Sequence, residues 1–85
     1  MEPDVKLNEL PPRTRAIVDE VLDQDPHDNI ARRLRELGFV AGEPVEIVAA
    51  GPFGAEPLLV QIGYTRFALR HNEAARVRLR EEAAA

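Results

Sequence analysis

Residues 31–42, with the sequence ARRLRELGFVAG, indicate a short amphipathic helix that begins just before Ala31 and ends at Gly38. Its apolar residues recur at the spacing of one helix face, at Ile30, Ala31, Leu34 and Leu37. Asp28 or Asn29 can act as the N-cap, and Gly38 can end the helix in the left-handed conformation of a Schellman motif. A helix of about two and a half turns is too short to be stable alone, so we predict that it packs on a sheet.

Short segments rich in β-branched residues surround this helix. One precedes it at residues 15–22, and four follow it, at residues 45–49, 58–62, 64–70 and 76–80. In the first segment we expect Ile17 and Val21 on one face and Val18 on the other. Residues 7–10, which end at a Pro-Pro pair, predict an extended lead-in. The pattern predicts a mostly β fold, a small five-stranded antiparallel barrel with one short α-helix after the first strand.

The chain has 85 residues, which is the size of one small domain. We place this domain at residues 6–80 and expect flexible termini at residues 1–5 and 81–85. The sequence contains no cysteine, which excludes disulfides, a thiolate nucleophile and cysteine-ligated metal centres. No apolar segment has the length of a membrane span and no signal peptide is visible, so we predict a cytoplasmic protein without direct membrane insertion.

Charge is distributed unevenly along the chain. The formal net charge is −4, which argues against nucleic-acid binding. Residues 1–31 contain eight acidic and three basic residues, whereas residues 66–80 contain five arginines and one glutamate. The second segment predicts either a basic strip for an acidic protein partner or simply the solvated faces of two strands.

Neither catalysis nor a closed metal site is indicated. The sequence has no serine, no cysteine and only two threonines, and it lacks a phosphate-binding loop, so we predict that the protein is not an enzyme. Asp25 with His27, and His71 with Glu73, are the candidate metal ligands. Because each pair is too small for a tetrahedral site, we expect no required cofactor; a zinc-like divalent ion could at most bridge two molecules. The alternative is that both histidines are ordinary loop residues.

Four motifs together resemble the FeoA family, over residues 6–80. They are LNELPP at residues 7–12, ARRLRELGFVAG at residues 31–42, PFG followed by Pro57 at residues 52–57, and FALR followed by EAARV at residues 67–77. The resemblance implies a small SH3-like barrel in the bacterial cytoplasm, encoded with FeoB, the ferrous-iron transporter that carries a GTPase-like domain. The same module is similar to the C-terminal domain of DtxR-type metal-dependent repressors.

This resemblance implies a non-enzymatic accessory protein of ferrous iron uptake that binds and modulates a FeoB-type transporter, at its GTPase domain or cytoplasmic face. A free-standing regulatory module, like the C-terminal domain of DtxR-type repressors, is the alternative. Exposed edge strands are also compatible with a weak homodimer. The predicted partner-binding residues lie on the helix, in one loop and on the last strands: Arg32, Arg33, Arg35, Phe53, Arg66, Arg70 and Arg76.

Overall fold

The computed structural model describes residues 5–52 and 55–80, which form one antiparallel sheet, two α-helices and a 3₁₀ turn at Leu7–Glu9. The strands are β1 (Val5–Lys6), β2 (Arg15–Val21), β3 (Pro44–Gly51), β4 (Ala55–Ile62), β5 (Thr65–Leu69) and β6 (Val77–Arg80). The helices are α1 (Asn29–Leu37) and α2 (His71–Ala74). The sheet has the order β1-β6-β2-β3-β4-β5. The predicted mostly β, antiparallel fold is confirmed, but the sheet has six strands instead of five, α1 follows the second strand, and a second short helix follows β5.

The N-terminal segment adds structure to the five predicted strands. Strand β1 pairs with β6, with Val5 opposite Leu79, so pairing begins one residue before the predicted domain boundary. Leu7 is fully buried and starts the 3₁₀ turn, in which the Leu10 N–H donates to the Leu7 carbonyl over 3.2 Å. The prediction of an extended lead-in is therefore wrong. A two-residue strand and a single turn contain too few residues to show a periodicity.

A β-bulge changes which side chains of β2 face the core. The pairing of β2 with β6 shifts register between Val18 and Glu20. The extra residue reverses the alternation beyond it, so Val18 and Val21 are both buried while Ile17 is half-buried. Our expectation that Val21 shares a face with Ile17 is therefore wrong. A second register shift, after Ile47 in β3, interrupts the alternation predicted for that strand.

Helix α1 has the two ends that its sequence predicts. The Asp28 side chain accepts hydrogen bonds from the first turn, which makes Asp28 the N-cap. At the other end Gly38 has a φ of 115°. The Gly38 N–H donates to the Arg35 carbonyl over 3.2 Å and the Phe39 N–H donates to the Leu34 carbonyl over 3.1 Å, the two hydrogen bonds of a Schellman motif.

One hydrophobic core joins the sheet to α1. Its fully buried side chains of largest volume are Phe39, Leu7, Ile47, Val18, Val45, Val60 and Val77. Ala31 and Leu34 lie on the apolar face of α1 and are buried in this core. The ring of Phe39, just after α1, lies 6.0 Å from the ring of Phe67 on β5, with 48° between the planes. This packing holds α1 beside β5.

Helix α2 starts earlier than its sequence suggests. Asn72 is a residue type that often caps helices, but it lies inside α2: the helix begins at His71, and the Glu73 carboxylate accepts the Arg70 N–H over 2.8 Å. The chain leaves β5 in extended conformation up to Arg70, which places the start of the helix there. With nine residues in α1 and four in α2, no helix in the part of the chain that the structure describes could cross a membrane.

Candidate partner-binding site

Much of the predicted basic strip is neutralised within the molecule. Strands β2 and β6 are neighbours in the sheet, so acids from the first part of the chain meet arginines from the last. Arg78 contacts Asp19 at 2.7 Å and Glu20 at 3.2 Å, and Arg80 lies 3.8 Å from Asp19. The two opposite charge clusters of the sequence therefore compensate each other along the β2–β6 pair.

Arg76 is a buried residue and not part of an exposed surface. Its residue is 8% exposed, and its Nε donates to Asp28 Oδ2 over 2.7 Å. Its Nη1 donates to the Asn72 carbonyl over 2.6 Å. The prediction of Arg76 as an exposed partner-binding residue is corrected, because the guanidinium is used to join the N-terminus of α1 to α2.

The Asp28 carboxylate receives four hydrogen bonds. Its Oδ1 accepts from the N–H groups of Ile30 and Ala31, both over 3.1 Å, and its Oδ2 accepts from the Gln24 N–H over 2.8 Å and from Arg76. The hydrogen bond from Arg76, followed by that from Gln24, holds the pKa of the Asp28 carboxyl well below its usual range. Asp28 is thus an ionised anchor of the fold.

This lowered pKa predicts a specific loss of stability in acid. Because the Asp28 pKa is lower in the folded than in the unfolded chain, the stabilisation is complete above the unfolded value of about 3.9 and is lost as pH falls below it. We expect the urea midpoint of the unaltered protein to fall more steeply between about pH 5 and 2 than that of Asp28→Asn, measured by circular dichroism. Parallel pH profiles would contradict this assignment, since other carboxyl groups titrate in both proteins.

The three arginines predicted on α1 have different environments. Arg32 pairs with Glu36 at 3.2 Å in an exposed contact along the helix. Arg35 pairs with Asp23 at 3.0 Å. The Arg33 side chain is exposed and forms no hydrogen bond or ion pair with any residue that the structure describes. Of these three residues, Arg33 is the one with a guanidinium free to contact a partner.

Arg33 lies on a groove of about 370 Å³ between α1 and β5, which we call the α1–β5 groove. Ile30, Leu37 and Phe67 pack against the core but remain half-buried, so they give the groove an apolar floor. The groove is lined by Asn29, Ile30, Arg33, Leu34, Leu37, Phe67, Ala68, Leu69 and Glu73. The sequence marked Arg33 as a candidate but gave no sign that Ile30 and Leu37 would stay accessible, because helical spacing assigns them to the core.

Of the remaining predicted partner residues, Arg66 lies on β5 and Arg70 directly follows it. Arg66 and Arg70 are both exposed. Arg66 Nε donates to Gln61 Oε1, a neutral group, over 3.1 Å, and Arg70 forms no ion pair among the described residues. Phe53 lies outside the described residues. Of these arginines only Arg33 lines the α1–β5 groove, whose lining also contains the acidic Glu73, whereas Arg66 and Arg70 lie on or directly after the β5 strand that borders the groove.

A second depression, of about 460 Å³, lies on the sheet beside the exposed Tyr64. Its other lining residues are Arg15, Glu46 and Gln61, which are polar or charged, and Pro44, Val45 and Gly63. It has no apolar floor comparable to that of the α1–β5 groove. We therefore favour the α1–β5 groove as the site for a partner.

The predicted metal ligands do not converge into a larger site. Asp25 Oδ1 accepts the His27 N–H over 2.8 Å, and the His71 N–H donates to Glu56 Oε2 over 2.7 Å. Within residues 5–52 and 55–80 no three histidine or acidic side chains are grouped to hold a metal ion. A tetrahedral zinc site needs four ligands. A zinc-like ion that joins two molecules through Asp25, His27, His71 or Glu73 stays a prediction.

Comparisons with known proteins identify the family. The model of the FeoA domain matches residues 5–81. No curated protein matches the chain at a significant level. Among solved structures, FeoA of Stenotrophomonas maltophilia, a zinc complex, is 60% identical over 89% of this chain and 89% of that chain, with a TM-score of 0.84. It is described as a procaryotic SH3 domain protein and a candidate bacterial ferrous iron transport activating factor.

Two further structures extend the comparison. FeoA of Chlorobium tepidum is 32% identical over 93% of this chain and 71% of that chain, with a TM-score of 0.78. A manganese-dependent transcriptional repressor is 18% identical over 96% of this chain and 44% of that chain, with a TM-score of 0.79, a likeness of fold alone. From the match to the family model and the closely similar structure, this SH3-like chain belongs to the FeoA family of ferrous iron transport.

Proposed function

We propose that this protein is a non-enzymatic accessory factor of ferrous iron uptake that works in the cytoplasm. It binds a FeoB-type membrane transporter, at the GTPase domain or another part of the cytoplasmic face, through the α1–β5 groove. A bound protein shifts a transporter between two states only if it binds one state more tightly than the other. The accessory protein therefore modulates transport through its own binding energy and needs neither a catalytic residue nor a cofactor.

The observation that carries this proposal is an apolar groove lined by Arg33, which forms no ion pair among the described residues, together with the exposed Arg66 and Arg70 on or directly after β5. Apolar contacts supply most of the binding energy of protein interfaces, and charges at the rim set specificity and association rate. The whole chain is acidic, with a net charge of −4, whereas Arg33 on α1 and Arg66 and Arg70 along β5 are exposed basic residues, with Glu73 as the acidic residue of the described groove lining. This charge distribution favours an acidic protein segment and disfavours nucleic acid, which carries its charge along its whole length.

Reversing the charge of Arg33 should weaken binding to the transporter. We expect Arg33→Glu to lower the affinity by about tenfold at low salt, and by less at high salt, because the new carboxylate would repel an acidic partner. The measurement is a calorimetric titration against the detergent-solubilised transporter, with GDP and with a GTP analogue. Arg32→Glu is the matched control, since Arg32 is also exposed on α1 but does not line the groove.

The two variants separate this site from a general charge effect. Equal weakening by Arg33→Glu and Arg32→Glu would show that the contact lies elsewhere or that binding depends only on the net charge of the protein. Absence of any binding by the unaltered protein, in every nucleotide state, would contradict the proposed function itself.

The second candidate is a regulatory module that binds a metal-dependent repressor. The observation in its favour is the likeness of fold to a manganese-dependent repressor, with a TM-score of 0.79. A second titration, against a purified repressor, distinguishes the two candidates. The regulatory module should bind the repressor and should not bind the transporter.

A further inference from the structure

Strand β5 forms one edge of the sheet, so its backbone has a side that pairs with no strand in residues 5–52 and 55–80. Gly63 and Tyr64 form a two-residue turn between Ile62 and Thr65, which are paired. In such a hairpin the pair that closes the turn exchanges both hydrogen bonds, and every second pair beyond it does the same. Thr65, Phe67 and Leu69 therefore direct their N–H and C=O groups toward β4.

The intervening residues, Arg66 and Ala68, direct their backbone N–H and C=O groups away from β4, toward the open edge. Helix α2 ends this edge immediately afterwards, since the Arg70 N–H donates to Glu73 and the Arg70 carbonyl accepts from Glu73 and Ala74 over 3.0 and 2.9 Å. The open edge is therefore short. It offers two donors and two acceptors, which suits a short extended segment better than pairing with a long strand.

The α1–β5 groove lies along this same edge. A groove between an edge strand and a helix is the arrangement in which some peptide-binding domains take up an extended segment as an additional strand. The backbone hydrogen bonds then supply affinity, and alternate side chains, which point to opposite faces, supply specificity. Here one face of an added strand would lie on the Phe67 side, toward Ile30 and Leu37, and the other on the Arg66 side.

We propose that an extended, acidic segment of the transporter binds in the α1–β5 groove as a seventh strand, antiparallel to β5. This proposal rests on the proposed function and specifies how the partner is bound. The segment hydrogen-bonds to the N–H and C=O groups of Arg66 and Ala68. Its apolar residues alternate with acidic ones: the apolar side chains contact Phe67 and the α1 side of the groove, and the acidic ones lie on the other face, beside Arg66 and Arg70.

Proline at position 68 tests this binding mode. Ala68→Pro removes the N–H that would donate to the added strand, yet it breaks no hydrogen bond to β4, and proline is tolerated on an edge strand when its nitrogen faces solvent. Phe67, which would precede the proline, is already extended. Ala68→Val is the matched control, because it adds a side chain of similar size and keeps the N–H.

The experiment titrates the detergent-solubilised transporter with the unaltered protein, Ala68→Pro and Ala68→Val, after circular dichroism has established that each variant is folded. We expect Ala68→Pro to bind at least about tenfold more weakly than Ala68→Val, which adds similar bulk to the groove but keeps the N–H. If Ala68→Pro does not fold, amide hydrogen exchange of the unaltered protein decides, since strand addition must slow exchange at Arg66 and Ala68.

Four results would overturn the inference. Equal binding by both variants, or unchanged exchange at Arg66 and Ala68 in the complex, would leave the proposed function standing and reject strand addition. No binding by the unaltered protein would reject both. A dimer of the unaltered protein in sedimentation that Ala68→Pro dissociates would show that a second copy occupies the edge instead.

Discussion

Phe39→Ala is expected to lower the free energy of unfolding by about 3–5 kcal/mol, the loss typical of removing a buried aromatic side chain. Phe39 is 1% exposed and follows the C-terminal end of α1. Its ring packs against Phe67, so the substitution leaves a cavity between α1 and β5. Because small domains are stabilised by only about 5–15 kcal/mol, such a loss would leave a measurable fraction of the molecules unfolded.

Val40→Ala is the matched control, since Val40 is the next residue and is 46% exposed. We expect this change to cost less than about 0.5 kcal/mol. Urea unfolding followed by circular dichroism measures both variants. Similar losses in the two proteins would contradict the packing of Phe39 described above.

Asp28→Ala should cause a large loss of stability. The change leaves the Arg76 guanidinium buried without its partner, removes the N-cap of α1 and frees the Gln24 N–H. A buried charge without a partner is strongly unfavourable, and loss of a cap adds to the effect. In thermal unfolding we expect the midpoint to fall by roughly 10 °C or more.

Asp23→Ala provides the comparison for this effect, because Asp23 lies in the same loop and also pairs with an arginine. That pair, with Arg35, is largely exposed. Exposed ion pairs contribute little, so we expect its midpoint to shift by no more than a few degrees. Equal shifts for Asp28→Ala and Asp23→Ala would show that the buried ion pair contributes no more to stability than the exposed one.

The Asp28–Arg76 pair also links stability to the candidate site. Asp28 caps the end of α1 that carries Asn29 and Ile30, and Arg76 binds the carbonyl of Asn72 in α2. Residues from these same two helices line the α1–β5 groove. The pair therefore sets the position of α1 relative to α2, and a variant that breaks it should weaken partner binding even where the protein still folds.

The arginines show how far the site could be predicted. The sequence marked Arg33, Arg66, Arg70 and Arg76 as equivalent surface candidates. In the structure Arg76 is buried, whereas Arg33 is exposed on the groove. The residues next to Arg76 in the sequence do not distinguish it from Arg33, because its partner Asp28 lies 48 positions away in the chain.

The sequence alone determined the features that depend on neighbouring residues. Helix α1 with its Asp28 cap and Gly38 end, the segments that form β2 to β6 and the mostly β class all follow from short-range periodicity and backbone preference. The tertiary structure decided the rest: the short β1, the bulge in β2 that buries Val21, the pairing of β2 acids with β6 arginines, and the groove beside the open edge of β5. These features depend on which distant segments lie side by side, since burial and ion pairing are set by contacts across the sheet.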